Sequence, residues 1–169
     1  MIKKVFSSVV LVILVGIMIA GLAQAATDAV SGSVTVLYSD VSLSQETFAY
    51  GSMNSNTASS TLTLWSGAGI VATNNGSTSS FDIYGANTAN YTLAANNTGN
   101  NYIHKFCNTI ASCVTPPTNY TALTTSPQTL DASVANAETV AFQLQITTPA
   151  TPTNFTQQSA AVTVQASAI

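Results

Sequence analysis

Along much of this chain apolar residues recur at every second position, and no stretch beyond residue 25 holds the 3.6-residue spacing of an amphipathic helix. The clearest run places Val140, Phe142, Leu144 and Ile146 on one side of a strand and Ala141, Gln143, Gln145 and Thr147 on the other, with Pro149 and Pro152 punctuating the turn that follows. Near the end of the chain Val162, Val164, Ala166 and Ala168 alternate with Thr163, Gln165 and Ser167. Further strands are expected at residues 62–65, 81–84, 91–93 and 102–106, separated by the turn signals Asn74-Asn75-Gly76 and Asn96-Asn97-Thr98-Gly99. Short strands at such intervals predict an all-β chain with a single sandwich, Ig-like or jelly-roll-like, over residues 40–169. Residues 107–137, which hold Pro116, Pro117 and Pro127, are expected to be irregular and to cover one edge or end of it.

The N-terminus has a different pattern. Lys3 and Lys4 precede the apolar run of residues 9–22, and Ala23-Gln24-Ala25 closes it with the small-residue signature of signal cleavage. Residues 1–25 therefore read as a signal peptide containing a hydrophobic signal helix, cut between Ala25 and Ala26. The alternative is a retained helix over residues 5–23, close to the roughly 20 residues that span a bilayer core.

Directly after the expected cut, Val30, Val34, Val36 and Tyr38 form an apolar row opposite Ala29, Ser31, Ser33, Thr35 and Ser39. Gly32 occupies the same row, where a missing side chain permits close backbone approach. This pattern fits two roles equally: the first strand of the chain's own sandwich, or a donor strand over residues 26–39 that completes the sheet of a neighbouring copy.

Composition narrows the function. Loss of Lys3 and Lys4 with the signal leaves Lys105 alone against six acidic residues, a net charge of −5, with no arginine. Nucleic acid binding, which depends on Lys and Arg neutralising phosphates, is excluded on this basis. So is a polybasic route to membranes, which leaves the signal segment before cleavage as the membrane contact. So few titratable groups also predict a stability that varies weakly with pH. Cys107 and Cys113, an even pair in an exported chain, predict a disulfide closing a short loop, worth about 2 kcal/mol by chain entropy.

Catalytic chemistry is not evident. His104, the single histidine, has Ile103, Lys105 and Phe106 beside it and reads as a surface or turn residue rather than a base. The acids are scattered, without calcium-loop or zinc spacing, so neither an enzyme nor a metal or other cofactor is expected. Asn75, Asn90, Asn96, Asn119 and Asn154 each begin an Asn-x-Ser/Thr acceptor sequence, and glycans there would solubilise a chain with few charges. Trp65 and the tyrosines offer a sugar-stacking platform as an alternative use of the surface.

A cleavable signal, an alternating strand over residues 30–38, a Ser/Thr/Asn-rich body and a Val-Thr-Val strand over residues 161–168 together resemble the subunits of archaeal surface threads and bundling pili. They are more distantly similar to the fibre-forming biofilm-matrix proteins of bacteria. The resemblance implies an extracellular homopolymer in which each N-terminal strand fills a groove in the next subunit, serving adhesion or biofilm formation through contacts with surface glycans or other filaments. Two alternatives are a type IV-like pilin built on the retained helix and a monomeric adhesin or carbohydrate-binding module.

Overall fold

The strongest alternating segment becomes the spine of the larger sheet. In a computed structural model of the chain, residues 31–67, 69–108, 113 and 119–169 are described. The signal segment, Ala25, Ala26 and Val30 lie outside them. The chain divides into two units, residues 1–35 and 36–169. Of the first, residues 31–35 are described; they carry no regular structure and are exposed.

Among the described residues the second unit holds ten strands and one helical turn: β1 (Val41–Leu43), β2 (Ala58–Ser60), α1 (Thr61–Leu64), β3 (Ile70–Asn74), β4 (Ser79–Gly85), β5 (Thr92–Leu93), β6 (Asn101–Cys107), β7 (Thr121–Ala122), β8 (Gln128–Val134), β9 (Thr139–Thr147) and β10 (Val162–Ala168). The larger sheet runs β1-β3-β9-β6-β5, with β2 also on β9 and β7 also on β6. The smaller sheet runs β10-β4-β8. The two sheets pack as a β-sandwich around Ile70, Phe81, Ile83, Tyr102, Phe106, Leu130, Phe142 and Leu144. This is the fold class the alternation predicts.

Three expectations need correction. Residues 62–65 are not a strand. Ser60 caps a single helical turn there, its hydroxyl accepting from the Thr63 N–H, because Ser and Thr hydroxyls compete for backbone groups at short range. Residues 107–137 are not irregular throughout, since β8 lies within them and buries Leu130 and Val134. The interrupted pattern of β8, with a register shift against β4 near Phe81, hides it from a strict period-2 reading. His104 is not at the surface but buried in β6.

The helical turn interrupts a ladder, and a side chain repairs it. β2 pairs with Gln145–Thr147 of β9 and β3 with Thr139–Phe142, which leaves Gln143 and Leu144 facing the excursion. Thr61 Oγ1 accepts from the Leu144 N–H at 2.9 Å and donates to Gln143 Oε1, and Gln143 Nε2 donates to the Gly67 carbonyl at 3.0 Å. This is why Gln143, on the more polar side of the alternation, is fully buried. Thr61→Val keeps the shape but leaves the Leu144 N–H buried without a partner. It should lower unfolding free energy by about 1–3 kcal/mol in urea titration; a loss within error would show that the hydroxyl contributes nothing.

Candidate functional site

Strand β10 is an edge. It pairs with β4 on one side, with Thr163 opposite Tyr84 and Gln165 opposite Asp82. The Ala161 carbonyl accepts from the Ala86 N–H and the Ile169 N–H donates to the Thr78 carbonyl, so odd-numbered positions bond towards β4. Alternation along an antiparallel strand then aims the N–H and C=O groups of Val162, Val164 and Ala166 away from β4, where no strand lies among the described residues. The opposite edge of that sheet is treated differently: Asn108 Nδ2 donates to the Leu130 carbonyl of β8 at 2.7 Å.

Beside β10 lies an open trough of about 1110 Å³. Val162 and Val164 line it from the smaller sheet, and Ile70, Tyr102, Phe142, Leu144 and Ile146 from the inner face of the larger one. Leu43 and residues 45–55 and 154–161 supply most of the rest of the lining, which also takes in Thr88, Tyr91 and His104. A sandwich strand seated there would cover apolar surface and pair the open edge in one step.

Of the polar residues in the lining, which include Gln45, Glu46 and Gln157, only His104 is buried. His104 is 1 % exposed, and its Nε2 lies 3.0 Å from the Tyr50 hydroxyl. Its Nδ1 is buried without a partner, as is the Tyr120 hydroxyl. Burial lowers His104 from its ordinary 6.5 to about 4, because the charged ring would lose its hydration here. Burial also pushes Tyr102 up to about 12, and raises Tyr50, to which the neighbouring Tyr120 adds. Tyr50 and Tyr102 flank the imidazole as rings at 5.9 and 6.3 Å.

No protein-family model matches this chain, and no curated protein or solved structure matches it. The site is therefore read from its own geometry.

The expected donor residues are placed informatively. Gly32 is exposed with open space around it, Val34 is 87 % exposed, Val36 80 % and Tyr38 61 %. None of residues 31–40 belongs to a strand. The arm's root is held firmly. Tyr38 exchanges bonds with Ser77, donating to its hydroxyl at 3.1 Å and accepting from its N–H at 2.7 Å, and the Asp40 carbonyl accepts from the Asn75 N–H. Ser39 Oγ accepts from the Ala168 N–H at 2.8 Å, at the end of the open edge. Gly76 makes this possible, since a Cβ there would sit 2.3 Å from the Tyr38 carbonyl oxygen.

Cys107 and Cys113 are joined in a disulfide, both buried. Of the acceptor asparagines, Asn75, Asn90, Asn96 and Asn119 are exposed and Asn154 is half-buried. Asn96 and Asn154 each accept from the hydroxyl and the N–H of the threonine two residues on. Trp65 does not form an open sugar platform: it is half-buried, edge-on to Phe48, which itself packs edge-on to Tyr50. Among the described residues no group of three or more His, Cys, Asp or Glu is placed to hold a metal ion, and no helix is long and apolar enough to cross a membrane. Sequence reading missed the trough and the buried His104–Tyr50 pair; the aromatic and histidine positions of β6 were the available signal, since Tyr102, His104 and Phe106 share one face.

Proposed function

We propose that this protein is the non-enzymatic subunit of an extracellular homopolymer, in which the arm of residues 26–39 from one copy fills the trough beside β10 of the next. The observation that carries the reading is an open strand edge over a largely apolar trough, together with an alternating apolar arm whose described residues, 31–39, belong to no strand. An unpaired edge is a template for strand addition, and β-augmentation satisfies its backbone groups while alternate side chains fill the space below. Export through residues 1–25, cleavage between Ala25 and Ala26, and glycans on the acceptor asparagines belong to the same proposal. They would release the arm's N-terminus and coat a body with little charge. Filaments of this kind serve adhesion or biofilm formation.

The test is removal of the arm. A chain beginning at Ala26 should form filaments visible by electron microscopy and sedimenting on ultracentrifugation. A chain beginning at Tyr38 should remain monomeric, and should bind a peptide of residues 26–39. Filaments from the shortened chain would overturn the proposal.

A further inference from the structure

The arm's direction in the trough follows from where its root lies, given the donor reading above. Every copy holds its own Tyr38 and Ser39 at the Ala168 end of β10, through the Ser77 turn and the bond from the Ala168 N–H to Ser39 Oγ. That end of the open edge is therefore occupied by the acceptor's own Ser39. At the other end the lining continues past Val162 onto Ala161, Ala160 and Phe155, the last 88 % exposed.

An incoming arm still tethered to its own body needs room for that body at one end of the trough. The acceptor's own root leaves the Val162 end uncovered, where Phe155 is exposed. We infer that the occupant is the arm of a second copy, inserted with its N-terminal tip towards Ala168 and its body beyond Val162, so that it runs antiparallel to β10.

The same geometry sets the choice between a neighbour and the chain itself. An arm rooted at Ala168 and folded back into its own trough would run parallel to β10, with residue 31 towards the Val162 end and away from Ser167. To lie antiparallel in its own trough it would first have to cross the seven residues of β10, about 23 Å, before turning back. Residues 26–37 extend only about 40 Å in total, so the crossing would use most of the arm and leave Val34 and Val36 outside the trough. Antiparallel insertion thus selects a second copy, and it places donor body and acceptor root at opposite ends of each trough. Repetition of that joint gives a head-to-tail chain rather than a closed pair. The antiparallel ladder also uses the outward N–H and C=O groups of Val162, Val164 and Ala166 in opposed pairs.

Cysteine pairs read the direction. In the antiparallel arrangement the polar face of the arm, Ser31, Ser33 and Thr35, lies alongside Thr163, Gln165 and Ser167 in reverse order. With Cys107 and Cys113 already bonded to each other, introduced cysteines are the free ones. Thr35→Cys with Thr163→Cys, in one chain, should give a ladder of covalent multimers on non-reducing gels after mild oxidation, and so should Ser31→Cys with Ser167→Cys. Ser31→Cys with Thr163→Cys should give neither multimers nor a linked monomer. A multimer ladder from this last pair would mean parallel insertion, and an internally linked monomer would mean that the arm fills its own trough; either overturns the inference. Filaments in which none of the pairs cross-links would place the arm away from β10 and overturn it too.

If a cysteine blocks assembly, a nitroxide at position 35 of a peptide covering residues 26–39, added to the chain carrying Val34→Asp and Val36→Asp, gives the same decision. It should broaden the amide signal of Thr163 more strongly than that of Ser167, about 13 Å further along the strand, and the reverse order would overturn the inference. Failure of direction and failure of donation remain separate. The wrong cysteine pair, with assembly still abolished by the two aspartates, sinks only the direction, whereas filaments from the aspartate chain sink donation itself.

Discussion

A chain carrying both Val34→Asp and Val36→Asp should fold, remain monomeric and form no filaments. Both valines are almost fully exposed in the single copy, so the substitutions remove no contact that holds the sandwich together. In the assembled state the same positions would face Phe142, Leu144 and Val164. Burial of Val30, Val34, Val36 and Tyr38 at roughly 1.5–3 kcal/mol each would supply about 6–12 kcal/mol to the joint before ordering costs. Two aspartates forfeit about half of that and add two carboxylates to an apolar trough without cations, a desolvation cost of several kcal/mol. The joint should weaken by more than about a thousandfold, each factor of ten being about 1.4 kcal/mol. Electron microscopy and sedimentation read assembly, and circular dichroism reads the fold. A wild-type peptide of residues 26–39 should bind the double variant and raise its melting temperature by mass action. If the variant instead unfolds and the peptide does not rescue it, the arm is a strand of its own domain.

The second large effect concerns His104. Its folded-state value of about 4 lies below the unfolded value of 6.5, so the unfolded chain binds the proton more readily. Stability from this group is complete above pH 6.5, declines as the pH falls below it, and is lost once the pH passes below 4. The interval of about 2.5 pH units corresponds to about 3 kcal/mol. Urea titrations at pH 7 and pH 4 should differ by that amount, and His104→Phe should abolish most of the difference while shifting the baseline through the unpaired Tyr50 hydroxyl. An equal pH difference in the variant would assign the effect to the carboxylates. The weak pH dependence expected from a chain with so few titratable groups thus has one exception, and burial is its cause.

What was legible in the sequence was whatever depends on neighbours along the chain. Period-2 alternation marked β4, β6, β9 and β10, because side chains of a strand alternate between faces whatever lies opposite. The pair Cys107 and Cys113 was legible because an even pair six residues apart needs only a local turn to bring its sulfurs together. Period alone could not find β8, whose alternation breaks at a bulge, or the helical turn at Thr61–Leu64, which a serine cap selects over a strand-like Leu-Thr-Leu. It could not show that Gln143 is buried, since that depends on Thr61 arriving from a distant part of the chain to complete a ladder. It also left residues 30–38 with two equal roles, because an apolar row is the same pattern whether its groove lies in the same chain or the next. Tertiary structure decided what surrounds each row: it left Val34 and Val36 uncovered, opened a trough beside the unpaired edge of β10, and enclosed His104 among aromatic rings. Burial and edge pairing depend on which strands meet across the sandwich, and local periodicity does not carry that information.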